Sequence, residues 1–265
     1  MSILIIDLLQ TALLVITFVL VALVLRKTRK IHLATYTLVA DAAKARQEME
    51  VLFSQIQALL ALERKLALPA ALPPMRGWAA SPDFLLRIAN EVEERKPATV
   101  LECSSGVSTL VVARCLQING KGHVYSLEHD PRYATITRKL LDKYGLSNWG
   151  TVLDAPLETA HVGTPWYRED SIPQDLGPID MLIVDGPPAA VAPLARFPAL
   201  PRLSNRLAKA ALIVMDDANR KDETEIVKRW MEQFPNFRYT DGCCERGCAL
   251  LENITSSHPA SSSVM

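Results

Sequence analysis

The chain has 265 residues, 49% hydrophobic and 22% charged, which is long enough for one α/β domain with extensions and too apolar for wholesale disorder. Its 29 basic and 29 acidic residues cancel to a net charge of zero, which argues against a general nucleic-acid partner. The five cysteines are an odd number without zinc spacing, and they fit a reduced, cytoplasmic setting.

Ile3 to Leu25 is almost entirely apolar, interrupted mainly by Asp7 and Gln10, and Arg26-Lys27-Thr28-Arg29-Lys30 follows at once. About 20 apolar residues suffice to cross a bilayer as a helix. A cleaved signal peptide carries its positive charge before the apolar run and small residues after it; here the order is reversed. Residues 1–25 are therefore expected to be a single-pass membrane anchor, and the basic cluster places everything after Leu25 on the cytoplasmic side. From Ile31 to about Leu68 there is no proline or glycine and helix formers dominate, so 26–68 reads as a basic juxtamembrane segment and stalk helix. Apolar positions such as Val51, Leu52, Ile56, Leu59, Leu60 and Leu66 recur near helical spacing. They suit either a homo-oligomer formed through the stalk or packing of its last turns on the next domain.

Pro69, Pro73 and Pro74 break that helix and mark 69–80 as a linker, in which Trp78 could shape the entrance to a site. Ser81-Pro82 then opens a helix to about Arg95, with Ser81 as N-cap. The stretch from Thr99 to Asp130 organises the domain that extends over 81–252. It reads as a strand (Thr99–Glu102), a turn of small residues (Cys103–Gly106), a helix from Val107 to about Leu116, and a second strand from Val124 that ends at Glu128. Such a turn lets a ligand approach the backbone at a helix N-terminus, and an acid at the next strand tip can accept from a ribose diol. A dinucleotide would fit that outline, but Glu102 stands where its pyrophosphate would lie. A carboxylate there suits an amine-bearing ligand.

His129-Asp130-Pro131 starts a helix to about Tyr144 whose Arg132, Arg138, Lys139 and Lys143 read as a solvated face. Thr151–Leu157 is a third strand leaving through Asp154, and His161–Pro178 is a long polar loop whose Trp166-Tyr167 could wall a pocket. Ile179–Asp185 is a fourth strand, continuously apolar until its acid, as a buried parallel strand should be. A helix through Leu207 precedes the fifth strand, Ala211–Met215, which ends in Asp216-Asp217. A helix from about Glu223 to Phe234 and two strands, Phe237–Tyr239 and Cys248–Leu251, complete the domain. Cys243, Cys244 and Cys248 read as loop and strand rather than a zinc site. The Ser-, Thr-, Pro- and Ala-rich 253–265 reads as a disordered tail.

The turn Glu102-Cys103-Ser104-Ser105-Gly106 resembles motif I of the class I S-adenosylmethionine (SAM) methyltransferases, acidic-x-Gly-x-Gly, with Ser104 in place of the first glycine. Serine fits such a turn if its φ stays negative. The resemblance extends from roughly Ser81 to Leu251. It implies an α/β fold: a Rossmann-like, seven-stranded, mostly parallel sheet with helices on both faces, preceded here by the transmembrane and stalk helices. It further implies a SAM site built from Glu102, Ser104, Ser105, Gly106, Ser108, Glu128, His129, Asp154 and Ala155. Glu128 would hold the ribose, Asp154 the adenine amine, and Ala155 with Leu157 the ring faces.

Val184-Asp185-Gly186-Pro187-Pro188 and Met215-Asp216-Asp217 are similar to the strand ends with which catechol O-methyltransferase and its metal-dependent relatives hold a divalent cation. By position, Asp185, Asp216 and Asp217 would be Mg²⁺ ligands, the third an aspartate where catechol O-methyltransferase has asparagine. Three converging carboxylates repel unless a cation or proton intervenes. The metal-free alternative makes Asp185 a general base, and a purely structural one makes Asp216-Asp217 a turn cap. The expected function is a membrane-anchored SAM-dependent methyltransferase acting on a hydroxyl of a sugar, lipid-linked or phenolic small-molecule acceptor. The alternative is a non-catalytic, membrane-tethered scaffold with a degenerate fold, for which Ser104 is the best support. A nicotinamide oxidoreductase is disfavoured by Glu102 and by the lack of a hydride-transfer residue.

Overall fold

The computed structural model describes residues 2–75, 79–159 and 163–254, so Trp78, His161 and the tail from Thr255 lie outside the described residues. The chain divides into two units, residues 1–53 and 54–265. Helix α1 (Ser2–Leu66) contributes to both.

In the first unit the apolar run is helical, with a mean hydropathy of 2.7 over its best 18-residue window, long and apolar enough to cross a membrane. Its side chains from Ile5 to Glu50 are exposed. Thr11, Thr17 and Thr28 donate their hydroxyls to the carbonyls of Asp7, Leu13 and Val24, four residues back. Polar groups satisfied within the helix are compatible with a hydrocarbon surround.

In the second unit the last turns of α1 pack against α2 (Pro82–Arg95) and α3 (Val107–Asn119), with Leu62 and Leu66 fully buried. Arg114 Nε closes the helix end by donating to the Leu66 carbonyl at 2.7 Å. The domain therefore starts upstream of the 69–80 boundary read from the prolines, because two leucines of the stalk belong to its core. Ser81 occupies the N-cap position of α2, but its hydroxyl goes to Asp83 Oδ1 (2.6 Å), and it is that oxygen which accepts the Phe84 amide (2.8 Å).

The seven-stranded sheet comprises β1 (Thr99–Cys103), β2 (His123–Glu128), β3 (Gly150–Asp154), β6 (Ile179–Val184), β7 (Leu207–Asp216), β8 (Phe237–Asp241) and β9 (Cys248–Asn253). Its order is β3-β2-β1-β6-β7-β9-β8, parallel except for β9, which runs against both its neighbours. Helices α4 (Pro131–Lys143), α5 (Ala199–Leu203) and α6 (Lys221–Gln233) complete the layers, and apolar cores form on both faces of the sheet.

Two local expectations change. Trp166-Tyr167 is not loop but a short strand, β5, paired antiparallel with β4 (Leu157–Glu158); both aromatics are 2% exposed, and burying them stabilises the ribbon. The predicted helix through Leu207 stops at Leu203, and β7 begins at Leu207, where its partner Ile179 draws it into the sheet ahead of a bulge.

Gly122, just before β2, has φ +94°, and a Cβ there would stand 2.3 Å from the Pro97 carbonyl oxygen. Gly122→Ala is expected to destabilise the domain by at least about 2 kcal/mol, measured as a shift in chemical unfolding midpoint.

Candidate functional site: a row of strand ends

Strand register builds the site. Cys103 is paired with Leu127 on one side and Val184 on the other, and Val184 with Met215. Because these strands are parallel, the residues that follow fall into one row at their carboxyl ends: Glu128, Ser104, Asp185 and Asp216, with Asp154 beyond Glu128. The sheet switches direction of growth between β1 and β6, the position at which open α/β sheets bind ligands. A cleft of about 870 Å³ opens there, a size suited to small-molecule sites.

One half of the cleft is walled by Ser104, Ser105, Gly106, Glu128 and His129, five of the nine residues expected around SAM. Ser104 departs from expectation in one respect. Its φ is +110°, the region its predicted negative φ would have avoided. The turn demands a glycine-like backbone and the serine accepts the strain, of order 1–3 kcal/mol. Ser104→Gly should therefore raise stability by about 1 kcal/mol in a denaturant melt. At Gly106 (φ +157°) a Cβ would meet nothing within 4 Å, so the backbone here faces open cleft that a ligand can approach.

Glu128 is anchored by the Ser105 hydroxyl on Oε2 (2.8 Å) and the Asp130 amide on Oε1 (3.0 Å), with His129 Nδ1 at 3.2 Å from Oε1. Burial alone would raise its pKa, but the nearby His129 ring and the hydrogen bonds from Asp130 and Ser105 outweigh that and hold it below the usual carboxylate range. It is an ionised acceptor with lone pairs to spare, suited to a diol.

Four expected residues lie elsewhere. Glu102 is fully buried and does not line the cleft. Its Oε2 accepts from Thr109 and Ser126 (2.6 Å each), and Thr109 Oγ1 in turn accepts the Gly106 amide at 3.0 Å. The carboxyl thus braces the turn from beneath rather than meeting a ligand, and burial raises its pKa despite hydrogen bonds from Ser108, Ser126 and Thr109. Ser108 is buried beside it. Asp154 is exposed and paired with Arg138 at 2.9 Å, and Ala155 is buried in the core; neither lines the cleft. In their place α4 supplies Tyr133, Ile136 and Leu140, with Pro73 and Pro74 of the linker also at the wall. Their i, i+3, i+7 spacing was a readable signal, masked by the basic residues around it.

The other half of the cleft holds the acids. Asp185, Asp216 and Asp217 offer oxygens within 4.8 Å of one another, as expected. Their charge is met by a residue the sequence reading did not single out, Arg196, whose guanidinium is buried among them. Nη2 donates to Asp185 Oδ1 (3.2 Å), Asp217 Oδ2 (3.1 Å) and the Asp185 carbonyl (3.2 Å), and Nη1 to the Asp216 carbonyl (2.8 Å). Arg220 reaches Asp217 from the rim at 2.9 Å. Burial, opposed by Arg196 and reinforced by Asp217, pushes the Asp185 carboxyl up to about 7. Burial with Asp185 and Asp217 pushes Asp216 up to about 8. Tyr167 lines the cleft with its Oη buried and unpartnered among the described residues; burial raises that phenol well above its ordinary pKa.

Residues 101–218 match the family model described as "Methyltransferase domain". The matched segment contains the whole row. PaMTH1, an SAH-bound methyltransferase of Podospora anserina, is 15% identical over 73% of this chain and 86% of its own, with a TM-score of 0.54. A methyltransferase from Geobacter sulfurreducens is 16% identical over 76% of this chain and 90% of its own (TM-score 0.51). An O-methyltransferase from Bacillus cereus, in complex with SAH, is 18% identical over 74% and 90% (TM-score 0.50). At these identities the fold is what is shared. No curated protein matches the sequence.

Proposed function

We propose that this chain is a membrane-anchored, SAM-dependent O-methyltransferase whose domain faces the cytoplasm and acts on a hydroxyl of a sugar, lipid-linked or phenolic acceptor. The observation that carries this reading is the row itself: an ionised Glu128 on one side of the open Ser104–Gly106 turn and Asp185 on the other, in one cleft. SAM would supply an electrophilic methyl on a sulfonium. Glu128 would hold its ribose hydroxyls, and the Tyr133, Ile136 and Leu140 stripe gives a flat ring an apolar wall. Asp185 would accept the acceptor's proton as the oxygen–methyl bond forms and the sulfonium becomes a thioether. The apolar helix would keep the domain where membrane-bound acceptors are concentrated.

The test uses the full-length chain in detergent micelles, titrated with SAM in a calorimeter and then incubated with labelled SAM and a membrane extract. Binding, with label entering the lipid fraction, is the expected result. A chain that binds no SAM would instead be the tethered scaffold.

The stalk supports self-association with a second copy. Thr35, Leu38, Ala42, Ala45, Met49 and Leu52 fall at alternating three- and four-residue spacing, and Leu38, Met49 and Leu52 are 68%, 68% and 59% exposed. Asp41 and Arg46 flank this seam at the positions that pair between parallel helices. Ala45→Cys is expected to give a disulfide-linked dimer on mild oxidation, read on a non-reducing gel, whereas an exposed helix face such as Gln47→Cys should not.

A further inference from the structure

We propose that Arg196 stands in for the divalent cation among Asp185, Asp216 and Asp217, so that this centre carries a built-in cation and binds no Mg²⁺. The inference deepens the acceptor half of the reading above, which the three acids alone would have turned toward metal chemistry. Four of the acceptors around the guanidinium are at hydrogen-bond distance, and two of them are main-chain carbonyls, those of Asp185 and Asp216 at the ends of β6 and β7. A metal seated in the place of the guanidinium would leave both carbonyls without their donor and Arg196 without its partners, in a site where Arg196, Asp216 and Asp217 are all nearly inaccessible.

Geometry points the same way. Mg²⁺ requires near-octahedral oxygens at about 2.0–2.1 Å and keeps several waters. Here the oxygens are set at 3.1–3.2 Å from a planar nitrogen donor, the arrangement a guanidinium selects. Most of the charge is met as well. Glu223 adds a fourth carboxylate, 3.8 Å from Arg196 Nε, and Arg220 and Arg246 approach Asp217 at 2.9 and 3.8 Å. Four acids therefore face three arginines before any ion is added, and a divalent cation would turn an excess of one negative charge into an excess of one positive.

Arg196 is thus a positioning residue. Its single Nη2 bridges Asp185 and Asp217, fixing the Asp185 carboxylate toward the cleft without consuming its second oxygen. That leaves Asp185 Oδ2 for an acceptor proton.

The experiment titrates the full-length chain in micelles with Mn²⁺, followed by its electron paramagnetic resonance signal, and with Mg²⁺ by calorimetry, both without SAM or acceptor. The wild type is expected to bind neither ion, and stoichiometric binding at sub-millimolar concentration would overturn the proposal. Arg196→Met removes the internal cation and should gain Mn²⁺ affinity by about 10²–10³-fold over wild type, a change that loss of packing alone would not produce. A folded Arg196→Met that gains nothing also overturns it. Should that variant fail to fold, the wild-type titration decides. Neither readout involves SAM, so failure here leaves the methyltransferase reading standing, and a chain that binds no SAM leaves this one untouched.

Discussion

Asp185→Asn is expected to lower methyl transfer by about 10³-fold while leaving SAM affinity within about twofold of wild type. Asparagine preserves the shape and the oxygen that accepts from Arg196 Nη2, so the pocket keeps its form and loses only the proton acceptor. The comparison separates roles, because a residue that merely held the fold would alter both quantities together. The pH profile provides a second reading. With the Asp185 carboxyl pushed up to about 7 by burial, the fraction able to take a proton grows as pH rises, so wild-type transfer should climb through neutrality. Stability should move the opposite way. Asp185 and Asp216, at about 7 and about 8, bind protons more tightly in the folded state than in the unfolded one. Their contribution is complete below the ordinary carboxylate range and is lost as pH rises through their folded values. Melting temperatures measured between pH 5 and pH 9, as a range of about four units, should therefore fall as activity rises, and less steeply in Asp185→Asn.

That opposition is the physical signature of a site that is assembled against its own electrostatics. The acids converge because the register of β1, β6 and β7 puts their strand ends in line, and Arg196 makes the convergence tolerable. The asymmetry explains what was legible from sequence. Strands β1, β2, β6 and β7 announce themselves as apolar runs ending in polar residues, and a parallel sheet converts those endings into neighbours, so Glu128, Asp185, Asp216 and Asp217 could be placed without coordinates. Arg196 could not. It lies in an irregular segment between β6 and α5, where no periodicity constrains the direction of a side chain, and a lone arginine in a loop carries no sign that it will be buried.

Glu102 lies beneath the cleft for a different reason. Motif position fixed its place on β1, but strand alternation turns it toward Thr109 and Ser126, and a single register step separates a residue that meets the cleft from one that supports it. Asp154 sits in the row by register yet at the sheet's edge, where Arg138 and solvent claim it. Tyr167 does wall the cleft, while the aromatic pair is strand rather than loop, because two residues are too few for any alternation to show in the sequence.

Glu128 offers the sharpest test of the cofactor half. Glu128→Ala is expected to weaken SAM binding by about 10²-fold or more, since a ribose diol donating to an ionised acceptor makes two charge-assisted hydrogen bonds, each worth about 1.5–3 kcal/mol. Calorimetric titration measures it directly. Because hydrogen bonding holds this carboxyl below the usual range, wild-type affinity should stay level from neutral pH down to ordinary carboxylate values and be lost only as pH falls further. Asp154→Ala is the matched control. Its side chain is exposed, lies outside the cleft and engages Arg138, so SAM affinity should not change. Equal losses in the two variants would mean the nucleoside lies across the edge strand rather than over the Ser104–Gly106 turn, and unaffected binding in Glu128→Ala would remove the ribose from the tip of β2 altogether. The two substitutions sit on paired residues of adjacent strands, so a difference between them maps the ligand to within one strand spacing, about 4.8 Å.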